Sequence, residues 1–220
     1  MRVLVTGASG HIGSAVVPEL LAAGHHVIGL ARSEASASAL VAAGAEVLRG
    51  DLDDLDGLAQ ATRVADGVIH LAYKHELALS GSADGFARAA AHDLRAIQAI
   101  GEALAGSGKP FVGTSGTALL SYAKLGRTGT ENDKLPGGPR IDSENTAIAM
   151  AERGVRSSVV RLAPTVHSAL DRSGFVPSLI GLARKNGFSA YVGEGKNRWP
   201  ALHTLDAARL YRLALEAAPA

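Results

Sequence analysis

Three glycines near the amino terminus have the spacing of a loop that accepts phosphate groups. Gly7, Gly10 and Gly13 follow the apolar run RVLVT in the order G-x-x-G-x-x-G. The first glycine permits a sharp turn from strand to helix, the second lets a diphosphate approach bare backbone, and the third lets helix and strand pack closely. The helix then offers unpaired N–H groups and a partial positive charge to the phosphates. The sequence therefore predicts a dinucleotide site at the first strand-to-helix junction.

Arg32 and Ser33 follow the second apolar run, where an NAD-selective site has an acidic residue. A guanidinium binds phosphate through paired hydrogen bonds, so these two residues favour a ribose 2′-phosphate. Two alternatives stay open: Arg32 is an ordinary solvated charge at a strand end, or Glu34 reaches a ribose hydroxyl. The sequence therefore predicts NADP as the cofactor, with NAD as the less favoured choice.

Short apolar runs alternate with alanine-rich stretches, which is typical of βαβ units under a parallel sheet. Strands are predicted at Arg2–Thr6, His26–Ala31, Ala45–Arg49, Gly67–Ala72, Pro110–Thr114 and Ser157–Leu162. Helices are predicted at His11–Ala23, Ser33–Ala43, Leu55–Val64, Asp84–Ala105 and Asp142–Arg153. The polar stretch Ser121–Pro139 is rich in Gly and Pro and predicts a surface loop. The predicted fold class is α/β, a Rossmann-like doubly wound parallel sheet.

The alternation becomes irregular after Leu162. Phe175–Lys185, a short strand at Ala190–Val192 and Leu205–Glu216 are predicted to form a small lobe beside the sheet. We therefore expect a dinucleotide-binding domain over residues 1–165 and a small C-terminal substrate lobe over residues 166–220, packed on the same domain.

The composition excludes several classes of function. Lys and Arg number 22 against 21 Asp and Glu, so no charge excess favours nucleic acid or an anionic membrane. Cysteine is absent, which excludes disulfides and thiolate metal sites, and no paired-histidine spacing predicts a metal. No run approaches the roughly 20 apolar residues of a membrane span, and no leader precedes the first strand. We expect a cytoplasmic protein whose partner is a small-molecule substrate.

Four motifs together resemble the extended and atypical short-chain dehydrogenase/reductases, which include the NAD-dependent epimerases and dehydratases. They are TGASGHIG, LARS, GDLDD and HLA, one after each of the first four predicted strands. The resemblance covers nearly the whole chain and implies a nicotinamide dinucleotide cofactor. It assigns the cofactor contacts to Gly7, Ser9, Gly10, His11, Ile12, Gly13, Arg32, Ser33, Asp51, Leu52, His70, Leu71, Ala72 and Pro164. Asp51 has a second interpretation, as a cap on the helix after Leu52.

The resemblance also implies a catalytic Tyr-x-x-x-Lys pair on a helix, in which the lysine lowers the pKa of the tyrosine for proton transfer. This sequence departs from that pattern. In PRIDSENTAIAMAERG, Arg140 stands at the tyrosine position and Glu144 at the lysine position. An arginine stays protonated at neutral pH and is no ordinary acid-base group. The usual proton relay is therefore missing.

Polar residues near the predicted carboxyl edge of the sheet are the remaining catalytic candidates. Asp93 stands where the family has an asparagine, and Ser115, with Thr117 as the alternate, stands near the family's hydroxyl. Tyr73 follows the fourth strand, where ligands of open α/β sheets bind. A purely structural role is the alternative for each residue: a carboxylate bonded to backbone, or hydroxyls that bond locally in a turn.

Tyr122 and Lys124, in SYAK, offer a tyrosine and an ammonium at a different spacing from the family's pair. They are predicted either to act as a displaced catalytic pair or to be ordinary residues of the loop.

Two functions follow as hypotheses. The first is an NADP-dependent oxidoreductase or epimerase acting on a small carbonyl or hydroxyl compound. The second is a non-catalytic NADP(H)-binding sensor, which the loss of the Tyr/Lys pair predicts. Family likeness also implies a homodimer through the helices Asp84–Ala105 and Asp142–Arg153, unless these pack only on their own sheet. Because family members commonly continue past a helix such as Leu205–Glu216, we expect either a small lobe or a missing C-terminal part.

Overall fold

Residues 1–217, the part of the chain described by this computed structural model, contain one large parallel sheet. Its six strands are β1 Arg2–Thr6, β2 His26–Ala31, β3 Glu46–Arg49, β4 Gly67–His70, β5 Pro110–Gly116 and β6 Arg156–Leu162. The strand order is β3-β2-β1-β4-β5-β6, and every neighbouring pair is parallel. This order reverses beside β1, as in dinucleotide-binding sheets. The predicted Rossmann-like doubly wound sheet is therefore confirmed.

Helices connect the strands and cover both faces of the sheet. They are α1 Gly13–Ala22, α2 Glu34–Ala42, α3 Leu55–Val64, α4 His75–Ala78, α5 Gly85–Leu104, α6 Ile141–Ala149, α7 Phe175–Asn186 and α8 Thr204–Glu216. Tighter 3₁₀ turns occupy Thr117–Ala123 and Met150–Arg153. The predicted helix Asp142–Arg153 therefore loses α-helical geometry after Ala149, and the predicted loop Ser121–Pro139 begins inside a 3₁₀ segment.

The first strand shows why the sheet supports two apolar layers. Val3 and Val5 pack with Leu20 of α1 on one face, while Leu4 packs with Ile97 of α5 on the other. A strand buried on both faces has a continuous apolar sequence, as RVLVT does. These layers fix the sheet, and the loops that carry the predicted site residues leave its carboxyl edge.

The region after β6 differs from the prediction. Here β7 Thr165–His167 pairs in parallel with β8 Ala201–His203. The predicted strand Ala190–Val192 is wrong: its Tyr191 and Val192 are exposed, so no buried surface stabilises an extended pairing. Within α8, Tyr211 and Leu215 are fully buried in the same apolar layer as Val5. This helix therefore belongs to the core of the sheet, although it lies within the range predicted as a small lobe.

None of the helices within residues 1–217 combines the length and the apolar character needed to cross a membrane.

Candidate functional site

The glycine loop between β1 and α1 contains two glycines that the fold requires and one that it does not. Gly7 has a φ of +66°, and a Cβ on it would lie 2.7 Å from the backbone nitrogen of Ala72. A Cβ on Gly13 would lie 2.2 Å from the carbonyl oxygen of Gly7. At Gly10 the same carbonyl, at 3.2 Å, is the one described atom within 4 Å of such a Cβ. Gly10 therefore leaves open space in front of the loop.

The first turn of α1 is available to an anion. Within the described chain, Ile12 precedes this turn without a side-chain cap, and the turn contains no acidic residue. The first N–H groups of a helix lack intrahelical partners and carry a partial positive charge. Ser9 and Gly10 are exposed at the tip of the loop. Together with the space at Gly10, these features fit the diphosphate of the predicted dinucleotide.

His11 connects the glycine loop to the C-terminal region. Its Nε2 lies 2.8 Å from Oγ1 of Thr204, the first residue of α8, and its Nδ1 lies 3.6 Å from Oδ1 of Asp171. Thr204 is fully buried and Asp171 nearly so. The ring of His11 is therefore held at both of its nitrogens by residues of the C-terminal region.

Arg32 lies directly after β2, as predicted, and has an acidic partner from a different element. Its Nη1 is 2.5 Å from Oε1 of Glu76 in α4. The hydroxyl of Ser33 caps α2 by accepting a backbone N–H. Glu34 forms an ion pair with Arg49. Arg32 is thus solvent-exposed but paired, and a phosphate would have to compete with Glu76 for its guanidinium.

Asp51 lies after β3 and pairs with the segment that follows β4. Its Oδ1 accepts the N–H of Asp53 at 3.1 Å and lies 3.3 Å from Nζ of Lys74. The side chain that caps α3 is that of Asp54, which accepts an N–H of the first turn. The interpretation of Asp51 as the helix cap is therefore wrong, and its carboxylate stays at the carboxyl edge of the sheet.

The other predicted cofactor contacts lie around this edge. Leu71 and Ala72 follow β4 beside Gly7, and both donate their N–H groups to Oγ1 of Thr6 at 3.2 Å. Leu52 is buried in the apolar layer of α3 and α5, and Pro164 lies between β6 and β7.

A buried chain of hydrogen bonds leads from the glycine loop to α5. Oγ1 of Thr6 lies 2.9 Å from Nδ1 of His70, and Nε2 of His70 lies 3.2 Å from Oδ1 of Asp93. Because Thr6 Oγ1 already accepts two backbone N–H groups, its hydroxyl donates to His70 Nδ1. Nε2 of His70 then donates to Asp93. All three side chains are at most 1 % exposed, so Asp93 is held rigidly.

Arg140, which the resemblance places at the family's tyrosine position, completes this chain. Its Nη1 lies 2.7 Å from Oδ2 of Asp93, and its Nη2 donates to the carbonyl oxygen of Thr114 at 2.8 Å. Its Cζ lies 4.4 Å from the centre of the Tyr73 ring, a cation–π geometry. The φ of Arg140 is +68°, which a non-glycine residue rarely adopts. The guanidinium is therefore fixed at the carboxyl ends of β4 and β5.

The protonation states of this cluster follow from its contacts. Burial alone would raise the pKa of Asp93, but His70, Arg140 and Ser143 outweigh it and hold that pKa below its ordinary value. Burial raises the pKa of Tyr73, although the charge of Arg140 opposes the shift. At neutral pH the cluster therefore holds a carboxylate, a guanidinium and a neutral phenol.

Ser115 Oγ and Tyr73 Oη are among the buried hydroxyls that lack hydrogen-bond partners within the described residues. Ser115 is 5 % exposed and directly follows Thr114, whose carbonyl binds Arg140. A buried hydroxyl without a partner is costly and rare in folded proteins, so both hydroxyls are suited to a ligand. The structure thus packs Asp93 and Tyr73 against Arg140, with Ser115 next along β5 to the Thr114 carbonyl that Arg140 binds.

Glu144, which the resemblance places at the family's lysine position, belongs to a second ion pair. Its Oε1 accepts from Nε of Arg161 at 3.0 Å and from Nη2 at 2.5 Å, and Glu144 is 5 % exposed. Nη2 of Arg161 also donates to the carbonyl oxygen of Asp133 at 2.6 Å. The position therefore joins α6, β6 and the loop before α6, and it supplies no ammonium.

Tyr122 is not brought to this cluster. It lies in the 3₁₀ segment, is 73 % exposed and makes no hydrogen bond with the described residues. Lys124 ends the segment with a φ of +47°. Thr117 donates to the carbonyl oxygen of Leu162 at 3.4 Å, which leaves Ser115 as the hydroxyl of the site.

Sequence reasoning missed Glu76 and Arg161, and it set Arg140 aside because a guanidinium is no acid-base group. One signal was available for Arg140. Asp93 and Arg140 both depart from the family's pattern, and their two departures have opposite charges. Such a pair of changes indicates an ion pair in the folded chain. No comparable signal pointed to Glu76.

Among residues 1–217, no group of three or more histidine or carboxylate side chains lies close enough to hold a metal ion.

The chain belongs to the NAD dependent epimerase/dehydratase family, whose model matches residues 3–136. It is 48 % identical to an uncharacterised protein of Schizosaccharomyces pombe and 41 % identical to one of Saccharomyces cerevisiae, each over 218 residues. Both matches cover 98 % of this chain and 71 % of the relative. The structure of MoeE5 in complex with UDP-glucose and NAD matches with a TM-score of 0.77 and 25 % identity, over 99 % of this chain and 73 % of that one.

The family match confirms the resemblance predicted from the glycine loop and the strand-end motifs. It supports an NAD(P)-dependent enzyme of the epimerase/dehydratase type.

Proposed function

We propose that this chain is an NADP-dependent oxidoreductase or epimerase that acts on a small carbonyl or hydroxyl compound and uses Arg140 in place of the family's tyrosine. The observation that carries the proposal is the contact of Arg140 with Asp93, with Tyr73 and with the carbonyl of Thr114, which directly precedes Ser115, at the carboxyl edge of the sheet. Gly10 and the first turn of α1 would hold the diphosphate, and Arg32 a ribose 2′-phosphate. A bound nicotinamide dinucleotide would supply or accept the hydride.

Arg140 acts in this proposal by charge and not by proton transfer. The guanidinium of Arg140 has five N–H donors. Nη1 contacts Asp93 and Nη2 donates to the Thr114 carbonyl, which leaves further donors for a substrate oxygen. A fixed donor of this kind stabilises the negative charge that develops on a carbonyl oxygen during reduction. Asp93 stays ionised because of its lowered pKa, so it orients Arg140 and does not relay a proton.

Tyr73 supplies the proton. Its raised pKa keeps the phenol protonated at neutral pH, and its buried Oη has no partner among residues 1–217. A phenol is a far stronger acid than an alcohol, so it can protonate an alkoxide. Arg140, stacked on the ring, stabilises the phenolate that remains.

The test is NADPH and NADH oxidation with a panel of small aldehydes and ketones. We expect turnover by the wild type and a loss of about 100-fold in kcat for Tyr73→Phe. The kcat of the exposed control Tyr122→Phe should be unchanged. Equal rates for wild type and Tyr73→Phe would remove Tyr73 from the mechanism.

A second function, a non-catalytic NADP(H) sensor, is favoured by one observation. Both family catalytic positions, Arg140 and Glu144, are committed to buried ion pairs. Stoichiometric NADPH binding without turnover of any panel compound would support the sensor and overturn the enzyme.

A further inference from the structure

The segment Tyr73–Glu76, after β4, contacts three other elements at the carboxyl edge of the sheet. Tyr73 stacks under Arg140, before α6. Nζ of Lys74 lies 2.6 Å from Oδ2 of Asp53, after β3. Glu76 pairs with Arg32, after β2. This segment therefore reaches from the proposed substrate end of the site to the end that would hold the adenosine ribose.

The contact between Glu76 and Arg32 is the one that the proposed function does not use. The hydrogen bond and charge of Arg32 lower the pKa of Glu76, so its carboxylate is ionised at neutral pH. The two side chains are 55 % and 60 % exposed. The positive charge at the end of β2 is therefore already balanced before any ligand arrives, by a group that solvent can reach.

Other groups near Arg32 have different partners. The hydroxyl of Ser33 accepts the backbone N–H of Ser36 and caps α2. Glu34 pairs with Arg49. Within residues 32–34, Arg32 is thus the group with donors for a 2′-phosphate, and Glu76 is the carboxylate that competes for those donors.

We infer that Glu76 is a specificity-determining residue. Its ion pair with Arg32 lowers the preference of this chain for NADP over NAD. A ribose 2′-phosphate carries a charge of about −1.5 to −2 at neutral pH. To bind Arg32 it must displace Glu76 or approach a second negative charge. An uncharged ribose 2′-hydroxyl neither has to displace Glu76 nor is repelled by its charge. The inference rests on the dinucleotide site of the proposed function and concerns its selectivity.

The test measures the dissociation constants of NADP⁺ and NAD⁺ by titration calorimetry, without substrate or turnover. For Glu76→Gln we expect NADP⁺ to bind about fivefold more tightly than to the wild type, the effect of one exposed ion pair. NAD⁺ affinity should change less than about twofold. Glu34→Gln is the matched control, because it removes the same charge nearby from a carboxylate that pairs with Arg49, and its selectivity should stay within about twofold of the wild type.

Two further arms test the physical cause. In an Arg32→Gln background, Glu76→Gln should no longer raise NADP⁺ affinity, because the competing contact is absent. In 1 M salt the gain in NADP⁺ affinity should vanish, because the Debye length is then about 3 Å and exposed charges are screened. An unchanged selectivity in Glu76→Gln, or an equal change in Glu34→Gln, would overturn the inference alone. If neither NADP⁺ nor NAD⁺ bound the wild type, the inference and the proposed function would both be overturned.

Discussion

Nη1 of Arg140 and Oδ2 of Asp93 lie 2.7 Å apart, and the side chain of Asp93 is 1 % exposed while that of Arg140 is 15 % exposed. A carboxylate buried to this degree is stable only when it is paired and hydrogen-bonded. Arg140 supplies the charge and His70 supplies a hydrogen bond. Arg140 is thus a group that the fold itself needs, because it neutralises the buried carboxylate of Asp93.

Removing Arg140 should therefore destabilise the protein. For Arg140→Leu we expect a loss of about 3–5 kcal/mol in the free energy of unfolding, because Asp93 is left buried and unpaired. Urea denaturation followed by circular dichroism measures the change. Arg153→Leu is the control: it breaks an ion pair with Glu102 that is exposed to solvent, and it should leave stability almost unchanged.

The double variant Asp93→Asn/Arg140→Leu should recover part of that loss, since the buried charge is then gone. Equal stabilities of Arg140→Leu and Arg153→Leu would show that the pair with Asp93 does not hold the fold.

Stability should also fall in acid because of Asp93. Its pKa in the folded chain is lowered, so its stabilising contribution is complete above the unfolded value of about 3.9 and is lost as the pH falls through the folded value. We expect the stability difference between wild type and Asp93→Asn to be constant from pH 7 to about 5 and to shrink below about 4. Urea titrations at each pH measure it. A difference that grew on acidification would contradict the lowered pKa.

Replacement of glycine by alanine should have different effects at two positions of the glycine loop. Gly13→Ala should cost about 2–3 kcal/mol of stability, because its Cβ would meet the backbone of Gly7 at 2.2 Å. Gly10→Ala should change stability by less than about 1 kcal/mol and weaken NADPH binding at least about tenfold, since its Cβ fills the space for the diphosphate. Thermal melts and fluorescence titration separate the two effects. Full NADPH affinity in Gly10→Ala would place the diphosphate elsewhere.

Substitution of Ser115 should affect activity without lowering stability. Ser115→Ala removes a buried hydroxyl that has no partner among residues 1–217, so the free energy of unfolding should stay equal or rise. If its hydroxyl binds the substrate oxygen, kcat/KM should fall about 10- to 100-fold.

Tyr211→Phe is the opposite case. It also removes one buried hydroxyl, but this one lies 2.8 Å from Oγ1 of Thr114, so stability should fall by about 1 kcal/mol while kcat/KM is unchanged. Stability losses of the same size in both variants would mean that Ser115 has an ordinary structural partner.

The fold could be predicted well because its signals are local. The strands Arg2–Thr6 and His26–Ala31 and the helix Leu55–Val64 have the predicted bounds, since apolar runs and turn residues mark both ends. The exposed stretch Ala190–Val192 shows the limit. Its apolar residues suggest a strand, but strand formation depends on a partner, and Ala201–His203 pairs with Thr165–His167 instead.

The site could be predicted only in part, because its contacts join residues far apart in the chain. The glycine loop and Arg32 follow from spacing within one βαβ unit. The pairing of Glu76 with Arg32 depends on where α4 places a side chain relative to β2, 44 positions earlier. Asp93 and Ser115 were found by position, yet their relation to Arg140 needed the folded α6.

The last helix also has a consequence for the order of events during synthesis. Nε of Arg212 in α8 binds Oε1 of Glu19 in α1 at 2.7 Å, across 193 positions of the chain. Tyr211 and Leu215 cover the layer that β1 and α1 begin. While the ribosome is still making residues before α8, this apolar layer is bare, and the nascent chain should bind a chaperone or a hydrophobic dye. If a chain halted at residue 203 bound neither a chaperone nor the dye, the residues before α8 would close this layer on their own.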